Sequence, residues 1–281
     1  MPGSSIRRSD AFEHDYMMRA LRNEFAERGM QIVEVCWDDA STDWSRYDAA
    51  LIGTTWDYWD RQALFLETLE NIESVIPLFN PAKLVRWNSH KSYLRDLETR
   101  GARLIPTLWI EQITDTIYAD AFRRLGSDDL VFKRQVGAGA AGQFRLRAKD
   151  PRPDMPHAMM VQPFLPMIQE EGELSFIFID GEFSHALIKQ ARPGDYRIQS
   201  SYGGQEFAID PSPEDTRAAR TILDALDTVP LYARIDMLRD RDGTLLLMEL
   251  ELIEPYLYPE QGPQLGHHMA KALSTRLRAR A

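Results

Sequence analysis

Apolar positions recur at helical spacing over residues 12–28, where Phe12, Tyr16, Ala20, Leu21 and Phe25 share a face and Gly29 ends the run. Two short β-rich apolar segments follow, residues 31–36 (QIVEVC) and 49–54 (AALIGT), with the look of buried parallel strands. Helical spacing returns over residues 60–72, with Phe65, Leu69 and Ile72 on one side. Asn80-Pro81 breaks the chain, and residues 90–100 read as a short helix closed by Gly101. Strand and helix alternating in this way predict a small α/β unit with a parallel sheet, residues 1–110.

The rhythm changes after Leu130. Residues 174–180 and 182–190 flank Asp180-Gly181, and residues 231–238 and 244–252 flank Asp242-Gly243, both strong hairpin signals. A helix is predicted between the hairpins, over residues 213–226. Antiparallel hairpins around a helix describe an α+β region, expected as a small subdomain (111–165) and a larger C-terminal one (166–281). No repeat or low-complexity tract is visible, and residues 151–156 read as a loop.

Composition excludes several classes. The chain has 281 residues, 44% of them hydrophobic and 27% charged, which suits packed cores and not disorder. Its net charge of −10 repels phosphate backbones, so nucleic acid is not an expected partner. No apolar run approaches the roughly 18 residues of a membrane helix. The first residues lack a hydrophobic signal core, so a cytoplasmic location is expected. Cys36 is the sole cysteine, which rules out an intramolecular disulfide and a cysteine metal cluster; it is expected as a small buried residue at a strand end.

Candidate chemistry gathers in three places. In LVFKRQVGAGAAGQ a strand ends at Lys133 and a loop with Gly137, Gly139 and Gly142 follows. Small residues let backbone N–H groups approach phosphate oxygens while a lysine adds a point charge, although an ordinary surface loop has the same composition. In YARID, alternation puts Tyr232, Arg234 and Asp236 on one strand face, and in LLLMELEL it puts Glu249 and Glu251 on one face of the returning strand. Leu245, Leu247 and Leu250 are left for the buried side. Three carboxylates so close repel unless a cation neutralises them, and hard oxygen donors suit Mg²⁺. The third place is GDYRIQSSYGG, where Arg197 sits between turn glycines; an arginine loop over an anionic substrate and a plain hairpin connection both fit.

The order of these motifs (lysine strand and glycine loop, QPFL, GELS, IDGEFSHALIK, GDYR…GG, YARID, MELELIEP) resembles the ATP-grasp superfamily, and its middle is similar to glutathione synthetase and the ribosomal-protein glutamate ligases. DWSRYDAALIGTTWDYWDRQALF and LVRWNSHKSYLRDL extend the similarity to the group of short ATP-grasp proteins that includes the D-cycloserine-forming cyclo-ligase. The resemblance implies a pre-ATP-grasp α/β domain followed by two α+β subdomains clasping ATP. It further implies that Lys91 and Lys133 meet nucleotide phosphates and that Gly137, Gly139 and Gly142 belong to the loop closing over them. Gln162, Phe164 and Leu165 match the hinge strand that reads adenine, Glu173 the acid on the ribose hydroxyls, and Lys189 a lysine near the γ-phosphate. Asp236, Glu249 and Glu251 match the Mg²⁺ acids, with Mn²⁺ as an alternative ion, and Arg234 matches an arginine on the transferring phosphoryl group. Arg197 falls in the substrate-side loop. Relatives often carry asparagine where Glu251 stands, although the cyclo-ligase-like group prefers acids there.

The expected activity is therefore an ADP-forming ligation of a small-molecule carboxylate to an amine through an acyl phosphate, in making an amino-acid-derived metabolite or antibiotic. A small-molecule kinase and a non-catalytic nucleotide-binding regulator are the alternatives. His185 reads as structural and His267-His268 as a polar helix face. Trp56, Asp57, Tyr58 and Trp59 follow a strand end, where α/β sheets place ligands; with Arg197 and Tyr202 they either shape an acceptor pocket or pack a domain interface. Glu254 and Tyr256 are further substrate-side candidates. Relatives begin with a hydrophobic strand where this chain has MPGSSIRRSD; the strand is expected to be missing, replaced by a partner or lost to a misplaced start codon, and a sheet edge left unpaired there favours a homodimer.

Overall fold

The computed structural model describes residues 10–137, 142–192, 195, 197–198 and 203–280. In chain order its elements are α1 (Ala11–Ala26), β1 (Ala50–Leu51), α2 (Gln62–Glu73), β2 (Leu78–Phe79), α3 (Ala82–Asn88), α4 (Tyr93–Thr99), β3 (Leu108–Ile110), α5 (Asp115–Leu125), β4 (Asp129–Arg134), β5 (Phe144–Arg147), β6 (Met159–Pro163), α6 (Met167–Glu170), β7 (Glu173–Ile179), β8 (Glu182–Gln190), β9 (Gln205–Ile209), α7 (Pro213–Asp224), β10 (Tyr232–Arg239), β11 (Leu245–Glu251) and α8 (Leu265–Arg278). They form a parallel pair β1-β2, an antiparallel sheet β3-β6-β4-β5 and a larger antiparallel sheet β11-β10-β7-β8-β9. No helix among the described residues is long and apolar enough to cross a membrane.

The first unit departs from expectation. Residues 31–36 form no strand: Val33 is 50% exposed and Cys36 only half-buried, and β1 pairs with β2 alone among the described residues. A parallel strand exists only through a backbone ladder to a neighbour. Here a side chain makes the link instead. The His14 imidazole on α1 reaches Thr54 Oγ1 at 2.7 Å with one nitrogen and Glu34 Oε2 at 3.0 Å with the other.

Elements from the first 110 residues also pack beyond that unit. Tyr93, Leu94 and Leu97 of α4 share a core with Phe176, Ile235 and Leu250 of the large sheet. Helix α1 lies against α8 so closely that a Cβ on Gly266 would fall 2.0 Å from the Ala20 carbonyl oxygen. Strand β3, starting at Leu108, belongs to the four-stranded sheet. A core of the first unit's own gathers around α2, with Trp37, Phe65, Leu69, Ile72 and Val85 among its members, and Ile253 joins it.

Strand β11 is an edge strand, and the first unit covers its exposed backbone. The Leu250 amide donates to Tyr93 Oη (2.9 Å), the Leu252 amide to Asn88 Oδ1 (3.0 Å), and Asn88 Nδ2 returns a bond to the Leu250 carbonyl (2.8 Å). Asn80, fully buried, accepts from the Leu231 amide and donates to the carbonyls of Tyr232 and Leu252. Three side chains thus fix the strand that carries Glu249 and Glu251.

Candidate active site

The acidic hairpin is assembled by register. Across β10 and β11, Asp236 pairs with Glu249 and Arg234 with Glu251. Strict alternation would put Leu245 and Leu247 on the same face as the two glutamates. The register instead shifts between Asp236 and Met237, skipping Met248. This β-bulge swaps the faces, so that Leu245, Leu247, Leu250 and Leu252 all enter the core while Glu249 and Glu251 turn to the cleft. On β7 and β8 the same face carries Ser175 opposite Asp236 and, one row on, Glu173 opposite Lys189.

These groups form one ionic network. Lys189 Nζ lies 2.6 Å from Glu173 Oε1 and 3.1 Å from Asp236 Oδ1. Arg234 clasps Asp236 through Nε (3.1 Å) and Nη2 (3.0 Å), reaches the Tyr256 carbonyl at 3.1 Å, and pairs with Glu251. Lys91 pairs with Glu249, and Ser175 Oγ donates to Asp236. The Tyr258 ring lies 5.5 Å from Lys189 Nζ and 5.7 Å from the Arg234 guanidinium. Burial alone raises the Asp236 pKa, but Arg234 and Lys189 overcome it and hold the acid at about 2. Burial dominates at Glu173 and at Glu251, pushing each up to about 7 against the pull of Lys189 and Arg234 respectively.

The cleft runs between the two larger sheets. Lys91, Lys133, Gly137, Gln162, Phe164, Leu165, Glu173, Lys189, Arg197, Arg234, Asp236, Glu249 and Glu251 all line it. Lys133 makes no ion pair among the described residues, and burial draws its pKa below the usual ammonium range, helped by repulsion from Lys91. The Phe164 amide donates to the Asp129 carbonyl (2.9 Å), and the Arg145 guanidinium sits 3.3 Å over its ring. Gln162 Nε2 donates to Thr107 Oγ1 at 2.9 Å. Gly142 has φ 67°, and a Cβ there would approach Arg134 Cδ to 2.7 Å. Arg197 pairs with Asp195 at 2.8 Å. Gly139 and Tyr202 lie outside the described residues.

Alternation alone points to Ser175, two residues after Glu173 in GELS. Tyr258 has no such signal, because it lies outside any strand, with φ 50°. Two buried side-chain atoms in this region have no partner among the described residues, Glu173 Oε2 and Arg134 Nε. With the unpaired Lys133 they leave an acceptor and cations in place for hydroxyls and phosphates, the donor set a nucleotide requires. Among the described residues no three acids or histidines are already grouped as metal ligands, since each cleft acid is held by a base. Oxygen donors of this kind on facing strands nonetheless suit Mg²⁺ shared with phosphates.

Two antiparallel sheets clasping a cleft lined by lysines, an arginine and carboxylates have the arrangement of an ATP-dependent ligase of the ATP-grasp fold. Residues 5–80 match the N-terminal domain model of D-cycloserine synthetase DcsG. The chain is 30% identical over 287 residues to the cycloserine biosynthesis protein DcsG of Streptomyces lavendulae, covering 94% of this chain and 95% of that one. The crystal structure of D-cycloserine synthetase DcsG superposes with a TM-score of 0.82 at 28% identity, over 94% of this chain and 95% of that one. D-alanine–D-alanine ligase from Bacillus anthracis (TM-score 0.67, 17% identity, 98% and 96% covered) and the ATP-grasp ligase PsnB complexed with Mg and ADP (0.64, 16%, 94% and 94%) share the fold. The chain belongs to the D-cycloserine synthetase family of ATP-grasp ligases, enzymes that use ATP and Mg²⁺ to form C–N bonds.

Proposed function

We propose that the enzyme phosphorylates a carboxylate-like oxygen of a small amino-acid-derived substrate and passes the activated carbonyl to a nitrogen, as a step in making an antibiotic-like metabolite. One observation carries this reading: Lys91, Lys133, Lys189 and Arg234 line the same cleft as Asp236, Glu249 and Glu251. Phosphoryl transfer asks the protein for positioning and for charges aimed at the transferring group, and this set provides both. Lys91 and Lys133 hold the phosphates, Glu173 receives the ribose hydroxyls, and residues 162–165 receive the base. Arg234 and Lys189 face the transferring phosphoryl group. Asp236, Glu249 and Glu251 would hold Mg²⁺, or Mn²⁺ in its place, and the ion would neutralise phosphate charge. Arg197 contacts the substrate side. A homodimer is supported by β1, which pairs on one edge only among the described residues.

In the first step the γ-phosphorus bonds to the carboxylate oxygen and its bond to the β-phosphate bridge breaks, releasing ADP. In the second the nitrogen lone pair attacks the acyl carbon, phosphate leaves with that oxygen, and the nitrogen proton passes to solvent. Isotope transfer tests this. With amino-acid substrates carrying ¹⁸O in the carboxyl group, the released inorganic phosphate is expected to contain one ¹⁸O. A stable phosphorylated product, or unlabelled phosphate formed alongside the ligated product, overturns the reading.

A further inference from the structure

Outside the nucleotide cleft, a second set of polar groups stands without partners. Glu254 follows β11 by three residues and is 9% exposed. Its carboxylate receives a hydrogen bond from its own backbone amide, and no other hydrogen bond or ion pair reaches it among the described residues. The cations nearest in charge effect are already engaged, Lys91 by Glu249 and Arg234 by Asp236 and Glu251. Burial and the neighbouring Glu251 raise its pKa well above the carboxylate range, so this acid gives up its proton and carries charge only when a cation stands beside it. Beyond that contact with its own backbone, no group among the described residues offsets the burial of this acid.

Two more unpartnered groups come from the loop between β1 and α2. Thr55 Oγ1 is buried without a hydrogen bond. The Tyr58 hydroxyl, on a residue 6% exposed, also lacks one among the described residues, and Glu254 is the charge that weighs most on it. The two segments are fastened together. Trp56 Nε1 donates to the Glu254 carbonyl at 2.8 Å, and Tyr232 Oη donates to the carbonyls of Ile52 (3.2 Å) and Ile253 (2.8 Å). The loop is therefore held against the acid with the Thr55 and Tyr58 hydroxyls unused among the described residues.

A carboxylate and two hydroxyls beside aromatic rings match one chemistry well. An ammonium group has three N–H donors and no acceptor, and it is stabilised by anions and by ring faces. We propose that Glu254, Thr55 and Tyr58 form a subsite for the ammonium group of an amino-acid substrate, on the first-unit side of Glu249 and Glu251. The proposal rests on the ligase reading for the identity of the bound molecule. The ammonium held here is a recognition handle, and no bond to it is made or broken.

The test is isothermal titration of the full-length enzyme, loaded with Mg²⁺ and a non-hydrolysable ATP analogue, with the proteinogenic amino acids in both enantiomers and their N-acetyl derivatives. At least one free amino acid is expected to bind and its N-acetyl form to bind at least about 30-fold more weakly. Glu254→Gln is expected to weaken that amino acid by a similar factor and Tyr58→Phe by about three- to tenfold, with nucleotide affinity unchanged within twofold in both. Absence of amino-acid binding to wild type, equal binding of the N-acetyl form, or unaltered affinity in both variants overturns the proposal. If Glu254→Gln does not fold, Tyr58→Phe decides. Failure of wild type to bind the nucleotide refutes the ligase reading instead, and the two outcomes are distinguishable in one titration series.

Discussion

Replacing Lys133 by methionine should separate binding from stability. The lysine closes β4 at the cleft wall, has no ion pair among the described residues, and suffers from burial and from Lys91 nearby. In the free enzyme its charge is therefore a liability, whereas in the proposed nucleotide complex it meets phosphate oxygens. Methionine keeps the length and apolar stem while removing the charge. A hydrogen bond to a charged group is worth about 1.5–3 kcal/mol, which at about 1.4 kcal/mol per tenfold predicts roughly 10- to 150-fold weaker binding of Mg·ATP. The ligand-free protein should be unchanged or more stable by up to about 1 kcal/mol, since an uncompensated cation is removed. Calorimetric titration with a non-hydrolysable ATP analogue and urea unfolding without nucleotide measure the two quantities. Binding within threefold of wild type, or a clear loss of stability, would refute the reasoning.

Three further outcomes follow from the same structure. On the proposed assignment Glu249→Gln removes one Mg²⁺ donor, and it also removes the partner of Lys91, so ADP release should fall by about 100-fold or more; turnover near wild type would remove Glu249 from the metal set. His185 is buried neutral, with burial drawing its pKa to about 4, and Nε2 lies 3.0 Å from the Leu257 carbonyl. Because the unfolded chain binds the proton near the ordinary value of 6.5, this residue's contribution is present above that pH. It is lost as pH falls towards 4, by up to about 3 kcal/mol; the stability difference between wild type and His185→Gln, from urea unfolding at both pH values, should shrink accordingly, and a pH-independent difference would contradict it. Asn80→Ala strands the Leu231 amide and two carbonyls in a fully buried site and should cost about 2–4 kcal/mol, read by urea midpoint; a loss under 1 kcal/mol would show that water replaces the side chain.

Much of the large sheet was legible because its signals are local. Asp180-Gly181 and Asp242-Gly243 place both turns, and alternation through YARID puts Arg234 and Asp236 on one face without any tertiary knowledge. Two things were not. Residues 31–36 have strand composition, yet a strand also needs a partner, and sequence pattern does not supply one. The roles of Asn80, Asn88 and Tyr93 depend on the backbone of β10 and β11, 150 or more residues away, so neither turn chemistry nor periodicity announces them.

The bulge at Met248 shows how the site reconciles two demands on one strand. The core wants leucines at 245, 247, 250 and 252, and the cleft wants acids at 249 and 251; a regular two-residue period cannot serve both. A single extra residue changes the phase midway, and the pattern in LLLMELEL is the trace of that change. The same economy governs charge. The acids suited to a metal hold, in the free enzyme, the bases suited to phosphates: Glu249 with Lys91, Glu251 and Asp236 with Arg234, and Asp236 and Glu173 with Lys189. Each side keeps the other from lying buried and uncompensated, which is costly for either sign. Bringing in a polyphosphate alone would release acids without a counterion, and a divalent cation alone would release bases. Their joint arrival exchanges one balanced set of pairs for another, which accounts for lysines, an arginine and carboxylates lining a single cleft.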